Sequence, residues 1–194
     1  ELHRFPRRCC PTQSPDAVVS RIPFTGVISL SGLRRTLRGI FGETLTAPNV
    51  GDIGKAFGTL LFEKVGPSPC VVVGYDGRLS SPDLSDALCQ GLASTGVNVI
   101  NIGVGPTPML YFATYHLETA AGLMITGSHN PPEFNGIKMM LQGHSFFGDA
   151  IQDLGARVAT GHFRQVKGAI NSADVSDAYI NQLLECLGGA ALDL

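Results

Sequence analysis

The chain has 194 residues, of which 44% are hydrophobic and 15% are charged, and its formal net charge is −2. This composition is typical of a globular protein and excludes a disordered one, and the small net charge provides no overall basic field for nucleic acid. No apolar run approaches the roughly 20 residues that span a bilayer, so we expect no membrane partner.

The cysteines and the N-terminal segment bear on location. The five cysteines are odd in number and match no zinc-binding spacing. Cys70 and Cys89 lie in apolar segments, where we expect buried free thiols. A reducing, cytoplasmic location fits this pattern best. Residues 1–20 are basic and lack the apolar stretch of a secretory signal, and we interpret them as a loose tail.

The first predicted elements are a strand, a loop and a helix. Residues 21–30 alternate loosely and are rich in Val, Ile and Phe, which predicts a strand. A loop with arginines and glycines follows at residues 31–39, SGLRRTLRG. Residues 49–64 predict a helix because their apolar residues recur at helical spacing. These apolar residues are Ile53, Phe57, Leu60 and Leu61.

A buried strand and a capped helix come next. Residues 70–73 are an apolar, mostly β-branched run, as in a strand that is buried on both faces. Ser80 or Ser81 is suited to cap the following helix, Pro82 suits its first turn, and Gly96 ends it.

The rest of the chain continues the alternation of strands and helices. We expect strands over residues 97–104 and 134–141, a strand that runs into a turn over residues 120–128, and helices over residues 106–120 and 145–159. This order predicts a three-layer α/β/α domain with a mixed, mainly parallel central sheet and helices on both faces.

The domain boundaries follow from the same pattern. We assign residues 21–159 to the α/β/α domain and interpret residues 160–171 as a connector. Residues 172–187 predict an amphipathic helix, and we expect residues 172–194 to be the first helix of a truncated second domain. One side of this helix carries Val175, Tyr179, Leu183 and Leu187.

The segment that carries chemistry is TGSHNPPEFNGIK at residues 126–138. It lies between two apolar strands, and ligands of open α/β sheets bind outside the carboxyl ends of the strands. Ser128 is a potential nucleophile or phosphate carrier, and His129 titrates near neutral pH. Gly136 permits an unusual backbone angle. Lys138 begins the next strand, from which its positive charge could reach the same site. The alternative is a polar hairpin loop with a surface serine.

This segment resembles the active-site loop of the α-D-phosphohexomutases, which include phosphomannomutases, phosphoglucomutases and phosphoglucosamine mutases. The resemblance extends over roughly residues 24–187. It implies that Ser128 carries the phosphoryl group, that His129 sits beside the phosphoserine, and that Lys138 is a catalytic-site cation. It also implies that Asn130 binds the substrate or its phosphate.

Two upstream segments share this resemblance. The stretch VGYDGR matches a typical family segment, in which Asp76 and Arg78 form either an internal pair or part of the site, with Arg78 as a phosphate-binding residue. The arginine loop resembles the early arginine loop of the family with four inserted residues. We prefer Arg38, which Gly39 follows, as the active-site arginine, and Arg34 is the alternative.

The resemblance implies a function. The enzyme would interconvert hexose 1-phosphate and hexose 6-phosphate through a phosphoserine and a bisphosphorylated sugar. It would use Mg²⁺, for which the phosphate on Ser128 supplies one oxygen ligand. The acidic metal loop of the family is absent from this sequence. We therefore expect the chain to be inactive without the C-terminal domains of the same enzyme.

The sequence has two alternative functional interpretations. One is a non-catalytic sugar-phosphate-binding or interaction module derived from such an enzyme. The other is a serine hydrolase, which requires a strand-to-helix nucleophile elbow such as G-x-S-x-G. Ser128 lies between two predicted strands within G-S-H-N, which disfavours the hydrolase.

Overall fold

The computed structural model describes residues 37–187. The predicted tail over residues 1–20, the predicted strand over residues 21–30 and the alternative arginine, Arg34, lie outside the described residues.

The described residues form a series of strands and helices that alternate along most of the chain. The strands are β1 Leu37–Ile40, β2 Cys70–Tyr75, β3 Asn98–Val104, β4 Ala121–Ile125, β5 Phe134–Leu141, β6 His144–Ser145 and β7 Ile170–Ser172. The helices are α1 Ala47–Val65, α2 Ser81–Ala93, α3 Thr107–His116, α4 Asp149–Thr160 and α5 Ser176–Cys186.

The strands form one mixed sheet in the order β1-β5-β4-β2-β3-β7, with β6 paired to β5. Strands β4, β2, β3 and β7 run parallel, and β5 is antiparallel to its three partners, β1, β4 and β6. The segments that follow β2 and β4 therefore leave the same edge of the sheet, where ligands of open α/β sheets bind.

Helices cover both faces of this sheet. Helices α1, α2 and α4 enclose the larger core, in which Phe57, Leu61, Leu88 and Leu123 are fully buried. Helices α3 and α5 cover the other face, against Val72 and Met124. The predicted three-layer α/β/α architecture is confirmed.

Strand β1 corrects the prediction of a loop over residues 31–39 at residues 37–39, and the remainder of that predicted loop lies outside the described residues. Leu37, Arg38, Gly39 and Ile40 pair with β5, and Leu37 and Gly39 are buried. Arginine and glycine have low strand propensity, so the strand depends on its partner β5 and leaves little local signal in the sequence.

The C-terminal part of the described chain also differs from the prediction. The segment predicted as a connector over residues 160–171 enters β7, which pairs with β3. Helix α5 begins at Ser176. Val175 is buried and Tyr179 packs on Phe112, with 5.6 Å between their ring centroids. Whether these residues begin a second domain stays a prediction.

The apolar residues of α5 divide into two groups. Val175 and Tyr179 contact the core beneath α3, whereas the remaining large ones are 45–54% exposed. These are Ile180, Leu183, Leu184 and Leu187. Within residues 37–187, no helix combines the length and the apolar character that crossing a membrane requires.

Glycines allow α1 and α2 to approach backbone to backbone. A Cβ atom at Gly91 would collide with the carbonyl group of Gly51, and one at Gly54 would lie 2.7 Å from the Leu88 carbonyl oxygen. Glycine weakens an isolated helix, so Gly54 reduces the helical signal of α1 in the sequence. Close packing between α1 and α2 is what requires glycine at positions 54 and 91.

We expect Gly91→Ala to destabilise the protein by about 1–2 kcal/mol. The better helix propensity of alanine gains about 1 kcal/mol, whereas overpacking against a backbone carbonyl costs more. Gly51→Ala is the matched control, because its Cβ would lie 3.6 Å from the Ala87 carbonyl oxygen, an ordinary contact. Urea unfolding of both variants measures the difference. Equal stability of the two variants would contradict this packing argument.

Candidate active site

Ser128 lies in a tight turn directly after β4. The Asn130 N–H donates to the Gly127 carbonyl oxygen at 3.0 Å, and Ser128 has a φ of 54°. Ser128 is the second residue of this turn and His129 is the third. A positive φ at the second residue only is the pattern of a type II′ turn, and glycine is the usual residue at that second position. A left-handed conformation costs a serine about 1–2 kcal/mol.

The side chain of Thr126 stabilises this turn. Its Oγ1 atom accepts a hydrogen bond from the Ser128 N–H at 2.9 Å. Thr126 is buried, Ser128 is half-buried and His129 is exposed. The serine is therefore fixed through its backbone at the edge of the sheet, next to an exposed imidazole.

The strain at Ser128 leads to a prediction. We expect Ser128→Gly to be more stable than Ser128→Ala by about 1 kcal/mol, because only glycine adopts a positive φ without steric cost. Both substitutions remove the hydroxyl, so the comparison isolates the backbone. Urea unfolding measures it, and a glycine variant that is no more stable than the alanine variant would show that the turn is unstrained.

Strand β1 brings an arginine to the Ser128 turn. Arg38 lies opposite Gly136 of β5, and its Nη1 atom donates to Asn130 Oδ1 at 3.3 Å. The expectation for Gly136 was wrong in its physical reason, since this glycine is not among the residues with positive φ. A Cβ atom there would collide with the Leu37 carbonyl oxygen and lie 3.1 Å from Arg38 Cγ. Gly136 thus leaves the space through which the Arg38 side chain passes.

Lys138 lies on β5, two residues beyond Gly136 and opposite Met124. Side chains two residues apart on a strand share one face of the sheet, so Arg38 and Lys138 lie on the same face. Lys138 is half-buried. Two cationic side chains from neighbouring strands therefore lie on one face of the sheet, and one of them, Arg38, contacts the Ser128 turn.

Asp76 connects the end of β2 to the Ser128 turn. Its carboxylate accepts from the Ser81 hydroxyl at 2.6 Å and from the Gly127 N–H at 3.0 Å. Burial by itself would raise the pKa of this carboxyl group. Hydrogen bonds from Ser81, Arg78, Thr126 and Gly127 outweigh burial and hold its pKa below the usual value. The carboxylate is therefore the ionised centre of this hydrogen-bond network.

Arg78 contacts the backbone of the Ser128 segment. Its Nε atom lies 3.4 Å from an Asp76 carboxylate oxygen. Its two terminal nitrogens donate to the carbonyl oxygens of Ser128, Asn130, Pro131 and Phe134 at 3.3, 2.7, 2.6 and 3.0 Å. The structure thus joins two segments that are about 50 residues apart in sequence.

A buried amide supports the same region. Asn135 is fully buried, and its side chain donates to the hydroxyls of Ser80 and Ser81 at 2.9 Å. Neither serine caps α2 through its side chain, contrary to the expectation, because both hydroxyls bind this polar network. The roles of Asn135 and Thr126 were not predicted from the sequence. A threonine two residues before a turn serine is a local signal for the second role.

Comparisons with known proteins identify the family to which this chain belongs. The model of a family described as phosphoglucomutase/phosphomannomutase, alpha/beta/alpha domain I, matches residues 34–165. The chain belongs to this family. A phosphomannomutase/phosphoglucomutase from Pseudomonas aeruginosa is 40% identical over 147 residues, which are 76% of this chain and 31% of the relative. A probable phosphoglucosamine mutase from Thermococcus gammatolerans is 43% identical over 154 residues, 77% of this chain and 33% of that protein.

Solved structures of the family have the same fold. The crystal structure of a phosphoglucomutase/phosphomannomutase family protein from Burkholderia thailandensis matches with a TM-score of 0.73 and 38% identity. The match covers 78% of this chain and 34% of that one. The chain spans about a third of the length of the relatives it matches.

The predicted site residues of this family domain fall into three groups. Ser128, Asn130 and Arg38 lie within one hydrogen-bonded cluster, to which Arg78 is also bonded. Lys138 shares a sheet face with Arg38, and His129 is exposed beside Ser128. Arg34 is outside the described residues. Their catalytic and binding roles stay predictions.

Proposed function

We propose that the chain is the N-terminal domain of a phosphohexomutase that interconverts hexose 1-phosphate and hexose 6-phosphate, with Ser128 as the phosphoryl carrier. The observation that supports this proposal is the backbone conformation of Ser128 and the contacts that hold it. Thr126 and Asp76 hold the serine in a left-handed turn at the sheet edge, where Arg38 also reaches. The substrate is a hexose phosphate.

The proposed reaction consists of two transfers. In the first, a sugar hydroxyl attacks phosphorus on phosphorylated Ser128, a new sugar O–P bond forms and the serine Oγ–P bond breaks. In the second, the serine oxygen attacks phosphorus of the other phosphoryl group of the resulting bisphosphate, a serine Oγ–P bond forms again, and the O–P bond that joined this group to the sugar breaks to leave a sugar hydroxyl. Arg38 and Lys138 supply positive charge for the phosphoryl oxygens, and Asn130 is a polar ligand for the substrate.

Each transfer also moves a proton. The attacking sugar hydroxyl loses its proton to a general base, and the leaving oxygen regains one. His129 and Lys138 are the two candidate bases in this chain. His129 is exposed beside the serine, whereas Lys138 is half-buried on β5.

Mg²⁺ would neutralise phosphoryl charge when bound. The phosphate on Ser128 would supply one oxygen ligand, and Mg²⁺ prefers about six. Within residues 37–187, no group of three or more His, Cys, Asp or Glu side chains is placed to hold a metal ion. The described residues do not provide a complete site, so we place the remaining ligands in the C-terminal part of the enzyme.

The chain therefore requires further domains for turnover. We propose that it functions in the cytoplasm as part of a longer mutase and that by itself it has no useful mutase activity. Its described cysteines, Cys70, Cys89 and Cys186, are free thiols, which suits a reducing compartment.

A domain exchange tests the proposal. Residues 34–165 would replace the matching first domain of the Pseudomonas aeruginosa relative, and conversion of glucose 1-phosphate to glucose 6-phosphate would be assayed with Mg²⁺. We expect mutase activity in the chimera and no activity in the 194-residue chain alone.

The control is the same chimera with Ser128→Ala. A folded chimera that has no activity, or one whose activity survives loss of the serine, would contradict the proposal. Circular dichroism and thermal melting distinguish a folded chimera from one that did not fold.

A further inference from the structure

We propose that Arg78 is a positioning residue that fastens the Ser128 turn to the end of β2, so that its guanidinium group holds the serine backbone and does not contact the phosphoryl group. In assigning Ser128 as the carrier, this inference rests on the proposed function. It replaces the expected phosphate-binding role of Arg78 with a different one.

The first argument is the number of donors on Arg78. A guanidinium group has five N–H bonds and no acceptor. The Nε atom faces the Asp76 carboxylate, and the two terminal nitrogens donate to four carbonyl oxygens of the turn and the following loop. Both terminal nitrogens are therefore fully used as donors within the protein, and Nε is in an ion-pair contact with Asp76. A phosphate could gain a bond from Arg78 only if one of these bonds broke.

The second argument is the space around the guanidinium group. A Cβ atom at Gly127 would collide with Cζ, Nε and Nη1 of Arg78. The guanidinium group therefore lies directly against the backbone of the residue before Ser128. The end of an arginine side chain usually moves away from such a contact, but here four hydrogen bonds and the ion pair with Asp76 hold it in place.

The third argument is burial and charge. The side chains of Arg78 and Asp76 are 17% and 22% exposed. Hydrogen bonds with a charged donor in a partly buried site are stronger than neutral ones. Asp76 also accepts from the Gly127 N–H, so the pair binds both a donor and several acceptors of the same segment. Arg78 and Asp76 together fix the turn that presents Ser128.

Hydrogen exchange of the 194-residue chain, followed by mass spectrometry, tests this role. We expect Arg78→Gln to accelerate exchange of the peptide that covers residues 126–136 by at least about tenfold, because bonds from a charged group are lost. Exchange in α1 should stay within about twofold. Arg157→Gln is the matched control, since Arg157 forms an exposed double hydrogen bond with Glu63. It should leave residues 126–136 unchanged.

Two further variants keep the test decisive if Arg78→Gln does not fold. Arg78→Lys retains the charge but lacks the planar fork, so we expect an intermediate acceleration. Gly127→Ala should accelerate exchange to a similar extent by displacing the guanidinium group. Unchanged exchange of residues 126–136 in these variants, or equal acceleration in α1, would overturn the positioning role.

A second readout separates positioning from phosphate contact. Phosphoserine would be installed at position 128 by an expanded genetic code, and its second pKa would be followed by ³¹P NMR. A contacting cation lowers this pKa, and its removal raises it. We expect Arg78→Lys, which retains the charge beside residue 128, to leave the phosphoserine pKa within about 0.3 units of the unsubstituted chain, whereas loss of a direct bidentate contact would shift it by about one unit. A rise of that size would overturn the proposal.

The two proposals fail in different ways. The exchange experiment repeated with Ser128→Ala tests Arg78 in a chain that carries no phosphate, and we expect the same acceleration there. If Ser128 is never phosphorylated, the proposed function fails while this exchange result stands. If the acceleration disappears with Ser128→Ala, the positioning role fails whatever the function.

Discussion

Ser128→Ala is expected to leave the protein without covalent phosphate at the active site and to lower mutase activity of the chimera by at least about a thousandfold. The serine oxygen is the atom that breaks and forms the bond to phosphorus. The neighbouring hydroxyl of Thr126 does not replace it, because that residue is buried and its oxygen accepts the Ser128 N–H. Intact-mass spectrometry and a coupled glucose 6-phosphate assay measure the two effects.

The matched control is Ser145→Ala, which removes an exposed serine hydroxyl on β6. It should leave both phosphate content and activity unchanged. Ser128→Thr adds a second test, because it retains a hydroxyl but places a β-branched residue at a positive φ. We expect most activity to be lost there also. Full activity in the alanine variant would rule out Ser128 as the carrier.

Gly136→Ala is expected to destabilise the protein by about 2–3 kcal/mol and to detach Arg38 from the site. The added Cβ atom would collide with the Leu37 carbonyl oxygen and would lie 3.3 Å from the Thr126 carbonyl oxygen. Both are backbone atoms, which cannot rotate away. The strain therefore falls on the pairing of β1 with β5, through which Arg38 reaches Asn130.

Urea unfolding measures this loss of stability, and hydrogen exchange of β1 reports its pairing. Gly77→Ala serves as the control, because a Cβ atom at Gly77 would have no atom within 4 Å. Its stability should stay within about 0.5 kcal/mol of the unsubstituted protein. If Gly136→Ala were equally neutral, the close packing at β1 would have no energetic consequence.

The sequence predicted those parts of the fold that have strong local patterns. The apolar run at residues 70–73 and the apolar spacing in α1 gave elements close to the observed ones, β2 Cys70–Tyr75 and α1 Ala47–Val65. Ser145, predicted to begin a helix, lies in the short strand β6, and the helix begins at Asp149. Strands β1 and β7 were also missed, both for one physical reason. Both lie at the edges of the sheet, and their residues adopt strand geometry because β5 and β3 provide hydrogen-bond partners.

The candidate site was predictable in its residue types but not in its contacts. The sequence motif located the loop around Ser128. Serine is not a residue type that favours a positive φ, so the residue types did not indicate this backbone angle. The bonds from Arg78 to that loop join residues 50 to 56 positions apart. Such contacts arise from strand order, since β2 and β4 are neighbours in the sheet, and local patterns do not encode that order.

The most direct test of the central claim is to locate the phosphoryl group. The chimera would be incubated with isotopically labelled glucose 1,6-bisphosphate and Mg²⁺, digested, and its phosphopeptides sequenced by tandem mass spectrometry. We predict label on Ser128, and its loss when unlabelled glucose 6-phosphate is added. A folded chimera that turns over substrate with no label on Ser128, or with the label on another residue, would contradict the account.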